Sequence, residues 1–207
     1  MSTKNDNAVP YRWSLPLTID GKILNAAYEV LTEKGVAGAT ISEIAQRAGV
    51  SRPTLYRRFK DLDDVISSLV TSLVLDIMNQ RYRLLDDVDE LIELIINFVI
   101  ELRSQPLIQI LNDKDGTYLS QYFVNRLGTS QRELLAVLTA MLHHCRAVNP
   151  DQLRDEDDME LASIVLLILQ NTSVSSQIMS GIINDTQWRH LIRYAIEGLL
   201  KNPDYQN

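Results

Sequence analysis

One cysteine, eight glycines and six prolines in 207 residues leave this chain little that staples or breaks it. A lone Cys145 forms no internal disulfide, which fits a reducing compartment. So few breakers permit long helices. The longest apolar run, Ile164 to Leu169, falls far short of the ~20 residues that span a bilayer. The polar opening "MSTKNDNAVP" has no apolar core of the kind a signal peptide needs. A cytoplasmic protein with no membrane partner is expected. Also missing are a Gly-rich phosphate loop, a nucleophile elbow, a CxxC pair and an HExxH helix. No catalytic residue and no cofactor is therefore assigned, and an enzyme is not expected. His143, His144 and Cys145 are adjacent on one helix and fan over roughly 200°, so they do not converge on one ion. No metal site is expected.

What is present is unevenly distributed. Residues 1–60 hold nine Lys/Arg against five Asp/Glu, a net charge of +4. Residues 61–207 hold eleven against twenty-two, a net charge of −11. A basic head on an acidic body suggests that the head meets a polyanion.

Helical periodicity dominates and no alternating strand pattern emerges, so the fold class is all-α. After an arm with Pro10 and Pro16, a first helix is expected from about Ile19 to Lys34. It buries Ile23, Leu24, Ala27, Val30 and Leu31, and Gly35 ends it. "TISE" reads as a capping box, with Thr40 as cap and Glu43 reaching back. Gly49 ends that short helix in the left-handed conformation. Ser51 caps the next, with a Val50–Leu55 staple across its start and Pro53 in its first turn. Asp61 caps a longer helix whose first turn holds Asp63 and Asp64. Further helices are expected near 61–84, 87–104, 106–112, 117–127, 130–148, 156–180 and 185–201. The run "DEDDME" supplies the cap and acidic first turn of the helix near 156.

Two short helices joined by a glycine turn make a helix-turn-helix, whose second helix enters the major groove. At 100° per residue, Leu55 and Phe59 point together into a core. Pro53, Arg57 and Lys60 point the opposite way, flanked by Thr54 and Tyr56. No Asp or Glu interrupts residues 50–60. This face suits DNA. Thr54 and Arg57 are the expected base readers, since arginine pairs with guanine through two hydrogen bonds. The Pro53 ring can touch a thymine methyl. Ser51, Tyr56, Arg58 and Lys60 are expected on phosphates, which position without specifying, and Arg52, nearer the core edge, is a further DNA-binding candidate. Thr40, at a helix start, is a further phosphate candidate. The alternative is a solvated arginine face on a purely structural hairpin.

The segment "GATISEIAQRAGVSRPTLYRRFKD" resembles the DNA-binding segment of the TetR (tetracycline-repressor-like) family of transcriptional regulators. The resemblance lies in Gly35, Thr40, Ile44-Ala45, Ala48-Gly49-Val50-Ser51, Leu55-Tyr56 and Phe59. It covers roughly residues 19–70. Many members carry a phosphate-contacting lysine at the start of the next helix. This chain has Leu62 there, and Lys60 is read in its place.

That resemblance implies an N-terminal three-helix DNA-binding domain, residues 1–60, and a helical ligand-binding and dimerisation domain, residues 61–207. It implies a homodimer on a palindromic double-stranded operator, released by a small-molecule effector, and hence a ligand-responsive repressor. The connecting helix near 61–84 would carry the signal. The residues add candidates. "ELASIVLLILQ" is apolar on all sides, so one side can face a partner. Ile164, Leu167, Ile168, Trp188, Leu191, Ile192, Ala195 and Leu199 are the expected dimer contacts. Phe98, Tyr118, Tyr122 and Phe123 are the expected pocket lining, as aromatic bodies with polar tips. Asn97 shares a polar face with Glu90, Glu93 and Glu101 and is expected to face solvent. The rival functions are a helical binding or scaffold protein with a vestigial helix-turn-helix, and an enzyme using a helical cavity.

Overall fold

The computed structural model describes residues 15, 18–112, 128–175 and 181–205. Among them the chain is helical, and its one extended pairing is the bridge between Leu153 and Lys201. The chain divides into two compact units, Met1–Leu69 and Val70–Asn207.

In the first unit, α1 spans Ile19–Gly38 and is capped by Thr18, whose Oγ1 accepts the Gly21 N–H at 3.1 Å. Its helical path breaks at Gly35, the expected end, where φ is 69°. One more turn then follows before Ala39. α2 (Ile41–Arg47) and α3 (Arg52–Tyr56) complete a three-helix head. Ile23, Val30, Leu31, Ile44 and Leu55 are fully enclosed in its core. α4 (Leu62–Arg81) begins in this unit and ends in the second. Asp61 caps it, accepting the Asp64 N–H at 2.9 Å.

In the second unit follow α5 (Val88–Ser104), α6 (Pro106–Asn112), α7 (Thr129–Val148), α8 (Asp158–Ser175) and α9 (Asp185–Leu200). A 3-10 turn, Pro150–Gln152, joins α7 toward α8. Asp157 caps α8 through the Met159 and Glu160 N–H groups, as the "DEDDME" run predicts. α9 opens on a reciprocal capping box between Asn184 and Gln187. Its end is tied back by the Arg154 N–H on the Leu200 carbonyl and the Asn202 N–H on the Gln152 carbonyl, both 2.9 Å. The core is built from Leu91, Ile92 and Ile96 of α5, Leu142 of α7, Val165 of α8 and Ile196 of α9.

The polar stripe of α5 departs from expectation. Asn97 is half-buried and accepts from Arg189 of α9 at 2.8 Å. Glu93 is paired with Arg189 and Arg193, and Glu101 with Arg81. α9 carries cations in register with the α5 acids, so two polar faces cover each other. The expected helix over 117–127 and the arm over 1–14 lie outside the described residues, as do 176–180.

Candidate nucleic-acid interface and body cavity

The head geometry follows from three local devices. Thr40 Oγ1 accepts the Glu43 N–H at 3.2 Å. The Glu43 carboxylate, expected to reach back to Thr40, instead takes Lys34 at 2.7 Å and Arg47 at 3.4 Å. Arg47 also binds Glu33 at 2.7 Å, which ties α1 to α2. That hydrogen bond holds the Glu33 carboxyl below its ordinary range and pushes the Arg47 guanidinium up. The second device is Gly49, at φ 67°. It turns the chain left-handed while the Val50 N–H reaches the Ala45 carbonyl at 3.0 Å. The third is Ser51, whose Oγ accepts the Thr54 N–H at 3.2 Å and lies 2.8 Å from Thr54 Oγ1. The Thr54 hydroxyl is thereby held in one place.

Leu55 and Phe59 are buried and fix the rotation of α3. Its other face is open. Arg52, Pro53, Tyr56, Arg57 and Arg58 are exposed, Tyr56 by 55%. Arg52 and Arg57 form no ion pair with any described residue. Arg58 is held by Asp20 of α1 at 3.0 Å, and the Lys60 side chain is 89% exposed, 4.0 Å from Asp61. The structure thus brings Ser51, Pro53, Thr54, Tyr56 and Arg57 onto one short helix and its two caps, with Arg58 steered aside toward α1. Thr40 is exposed at the start of α2.

The body contains a cavity of about 110 Å³ between α4, α5, α7 and α8. Phe98, anticipated from sequence, lines it with Leu94, Val99, Leu134, Val137 and Leu166. Met78 and Arg81 of α4, Tyr82 just after it, and Gln131, Gln170 and Ser173 also line it. Sequence reasoning missed these; the signal available was a glutamine on the buried stripe of α7, where Gln131 is 2% exposed. Tyr118, Tyr122 and Phe123 lie outside the described residues.

The expected dimer contacts separate into two groups. Ile164 and Leu167 on α8 and Leu191 and Ala195 on α9 face outward, with Tyr194, which the sequence list lacks. Trp188 and Ile192 are instead buried in the chain's own core, and Ile168 and Leu199 pack against it. The stripe of α9 is wide enough to serve both sides, and periodicity does not say where it divides. Trp188 also lies under Arg103, 4.5 Å from its ring. His143 and His144 diverge, toward Asp158 at 3.3 Å and Asp86 at 2.8 Å. Cys145 is buried, and burial pushes its thiol up to about 11.

No helix among the described residues is long and apolar enough to cross a membrane. Residues 23–69 match the model for bacterial regulatory proteins of the tetR family. The chain is similar to an HTH-type transcriptional regulator of Mycobacterium tuberculosis, 35% identical over 180 residues, covering 87% of this chain and 93% of that one. In fold it is similar to the fatty acid degradation regulator FadR from Bacillus halodurans, with a TM-score of 0.62 at 19% identity over 94% of this chain and 100% of that one. It is also similar to SmeT in complex with triclosan, with a TM-score of 0.60 at 20% identity over 90% and 93%. SmeT is the repressor of the Stenotrophomonas maltophilia multidrug efflux pump SmeDEF. The 180 residues shared with the mycobacterial regulator exceed the length of either unit, so that likeness runs through head and body alike. The chain therefore belongs to the TetR family of bacterial transcriptional regulators, a family without enzymatic activity.

Proposed function

We propose that the protein is a ligand-responsive repressor that binds a palindromic operator as a homodimer and leaves it when a small, largely apolar effector enters the body cavity. The observation that carries this reading is the outward face of α3. It presents Pro53, Thr54 and Arg57, which has no ion-pair partner among the described residues, while Leu55 and Phe59 anchor it from behind. Thr54 and Arg57 read base edges; Thr40, Ser51, Arg52, Tyr56, Arg58 and Lys60 hold phosphates. Arg58 sits on Asp20 in the free protein and exchanges that partner for a phosphate.

The outward apolar faces of α8 and α9, with Ile164, Leu167, Leu191 and Ala195, support pairing with a second copy. Two heads are needed for half-sites about 34 Å apart. Met78 and Arg81 put the end of α4 in the cavity wall, and the same helix begins at Leu62 in the first unit. A cavity of about 110 Å³ is small for a drug-sized molecule, which takes roughly 300 Å³ or more. Binding then requires the walls to move, and an effector shifts operator affinity only by its unequal affinity for the two wall positions.

The test is capture of sheared genomic DNA on the purified protein at low salt, followed by sequencing and by binding to the enriched duplex over a salt series. A palindrome whose affinity falls steeply with salt supports the reading. No enrichment leaves α2 and α3 a structural hairpin.

A further inference from the structure

Resting on the reading of the body cavity as the effector site, we infer that the effector is electrically neutral: an apolar molecule whose polar group is a hydroxyl, ester, ketone or amide, not a carboxylate or an ammonium. The described cavity wall is almost wholly aliphatic and aromatic. It holds one charged side chain, Arg81, near the end of α4. Arg81 Nε donates to the Glu101 carboxylate of α5, so the positive charge is already cancelled. The other polar side chains of the described wall are Gln131, Gln170, Ser173 and Tyr82. Gln131 is buried, and its Oε1 accepts from the Ser130 hydroxyl at 3.5 Å.

An anion entering this space loses its hydration and finds a cation that is shared with Glu101, whose own negative charge repels it. An ammonium finds the Glu101 carboxylate already occupied by Arg81. A neutral group pays neither cost. The Arg81–Glu101 pair thus acts as a charge filter at the α4–α5 side of the cavity. Removing the carboxylate while keeping the cation turns the filter into an anion site.

The experiment uses the full chain and three probes of equal length, each below its micelle concentration: 1-decanol, decanoate and decyltrimethylammonium. Affinity is read by titration calorimetry on the wild type, Glu101→Gln, Arg81→Gln and the cavity-filling Val137→Trp. Decanol is expected to bind at least about tenfold more tightly than either ion. In Glu101→Gln, decanoate gains about tenfold and decanol is unchanged. If that variant does not fold, Arg81→Gln serves instead: the ammonium gains and decanoate weakens further. Equal or tighter binding of either ion to the wild type overturns neutrality, while loss of all binding in Val137→Trp keeps the cavity as the site. Decanol binding that survives Val137→Trp overturns the cavity reading itself. Failure of all three probes on the wild type overturns both.

Discussion

Arg189 of α9 donates to the Asn97 side-chain carbonyl of α5 at 2.8 Å and, with its other nitrogen, to Glu93. One turn further on, Arg193 reaches Glu93, Asp89 at 3.1 Å and Glu197 at 2.6 Å. Lys201 closes the series on Asp89 at 2.7 Å. These side chains are about one-third exposed. An isolated pair at that exposure contributes little, but Glu93 is shared between two guanidinium groups. Glu93→Ala leaves both without their common acceptor and is expected to cost about 1–2 kcal/mol in urea unfolding. The same change in an Arg193→Ala background should cost less. Additive losses would show that the ladder is a set of independent surface pairs.

Arg57 and Lys60 should behave differently on DNA. Arg57 faces outward from α3 with no partner among the described residues, so its loss is expected to flatten preference at one position of the half-site by about 1–3 kcal/mol. Lys60→Ala should weaken all duplexes alike and lower the salt slope by about one. Binding to a panel of single-base operator variants at two salt concentrations separates them. A uniform loss in Arg57→Ala would assign that residue to phosphate.

Leu191 and Ile192 are neighbours in sequence with opposite surroundings, 54% and 7% exposed. Leu191→Glu is expected to leave the fold intact and move the protein toward a monomer in sedimentation at micromolar concentration. Ile192→Ala should keep the oligomeric state and lose about 2–5 kcal/mol of stability, because it opens a cavity in the core. A Leu191→Glu protein of unchanged mass would remove α9 from the interface.

Much of the head was legible because its signals are local. Thr40, Gly49, Ser51, Pro53 and Asp61 each act within four residues, and the structure uses each near the place the sequence assigns. The all-α class follows from the same short-range periodicity. What was not legible depends on pairing between distant segments. The Asn97 face of α5 is polar in sequence whether water or α9 covers it, and Arg189 lies 92 residues away. The broad stripe on α9 does not reveal that Trp188 turns inward and Tyr194 outward. Met78 and Gln131 reach one cavity from α4 and α7, so no single window of sequence marks it. Phe98 was found only because an aromatic on a central helix is a candidate anywhere.

Asp87 links helix α5 to the turn before α8, and its protonation should be visible in stability. Its Oδ1 accepts the Asp89 and Glu90 N–H groups at 2.8 and 3.1 Å, and its Oδ2 accepts from Gln152 at 3.1 Å. Burial pushes the carboxyl up, but these hydrogen bonds and nearby Lys201 outweigh it and hold the group below its ordinary value. The unfolded chain then takes up the proton first as pH falls, so the folded state is favoured by ionised Asp87 above the ordinary carboxylate range. That contribution disappears as pH drops through the folded value. Asp87→Asn keeps the capping oxygen on Asp89 and Glu90 but cannot ionise, so it should remove this part of the acid sensitivity. Asp87→Ala should cost about 0.5–2 kcal/mol near neutral pH through the lost cap. Urea unfolding of the three proteins between neutral and acid pH is the measurement. Parallel stability curves for wild type and Asp87→Asn would mean that the ionised form holds no advantage over a neutral cap.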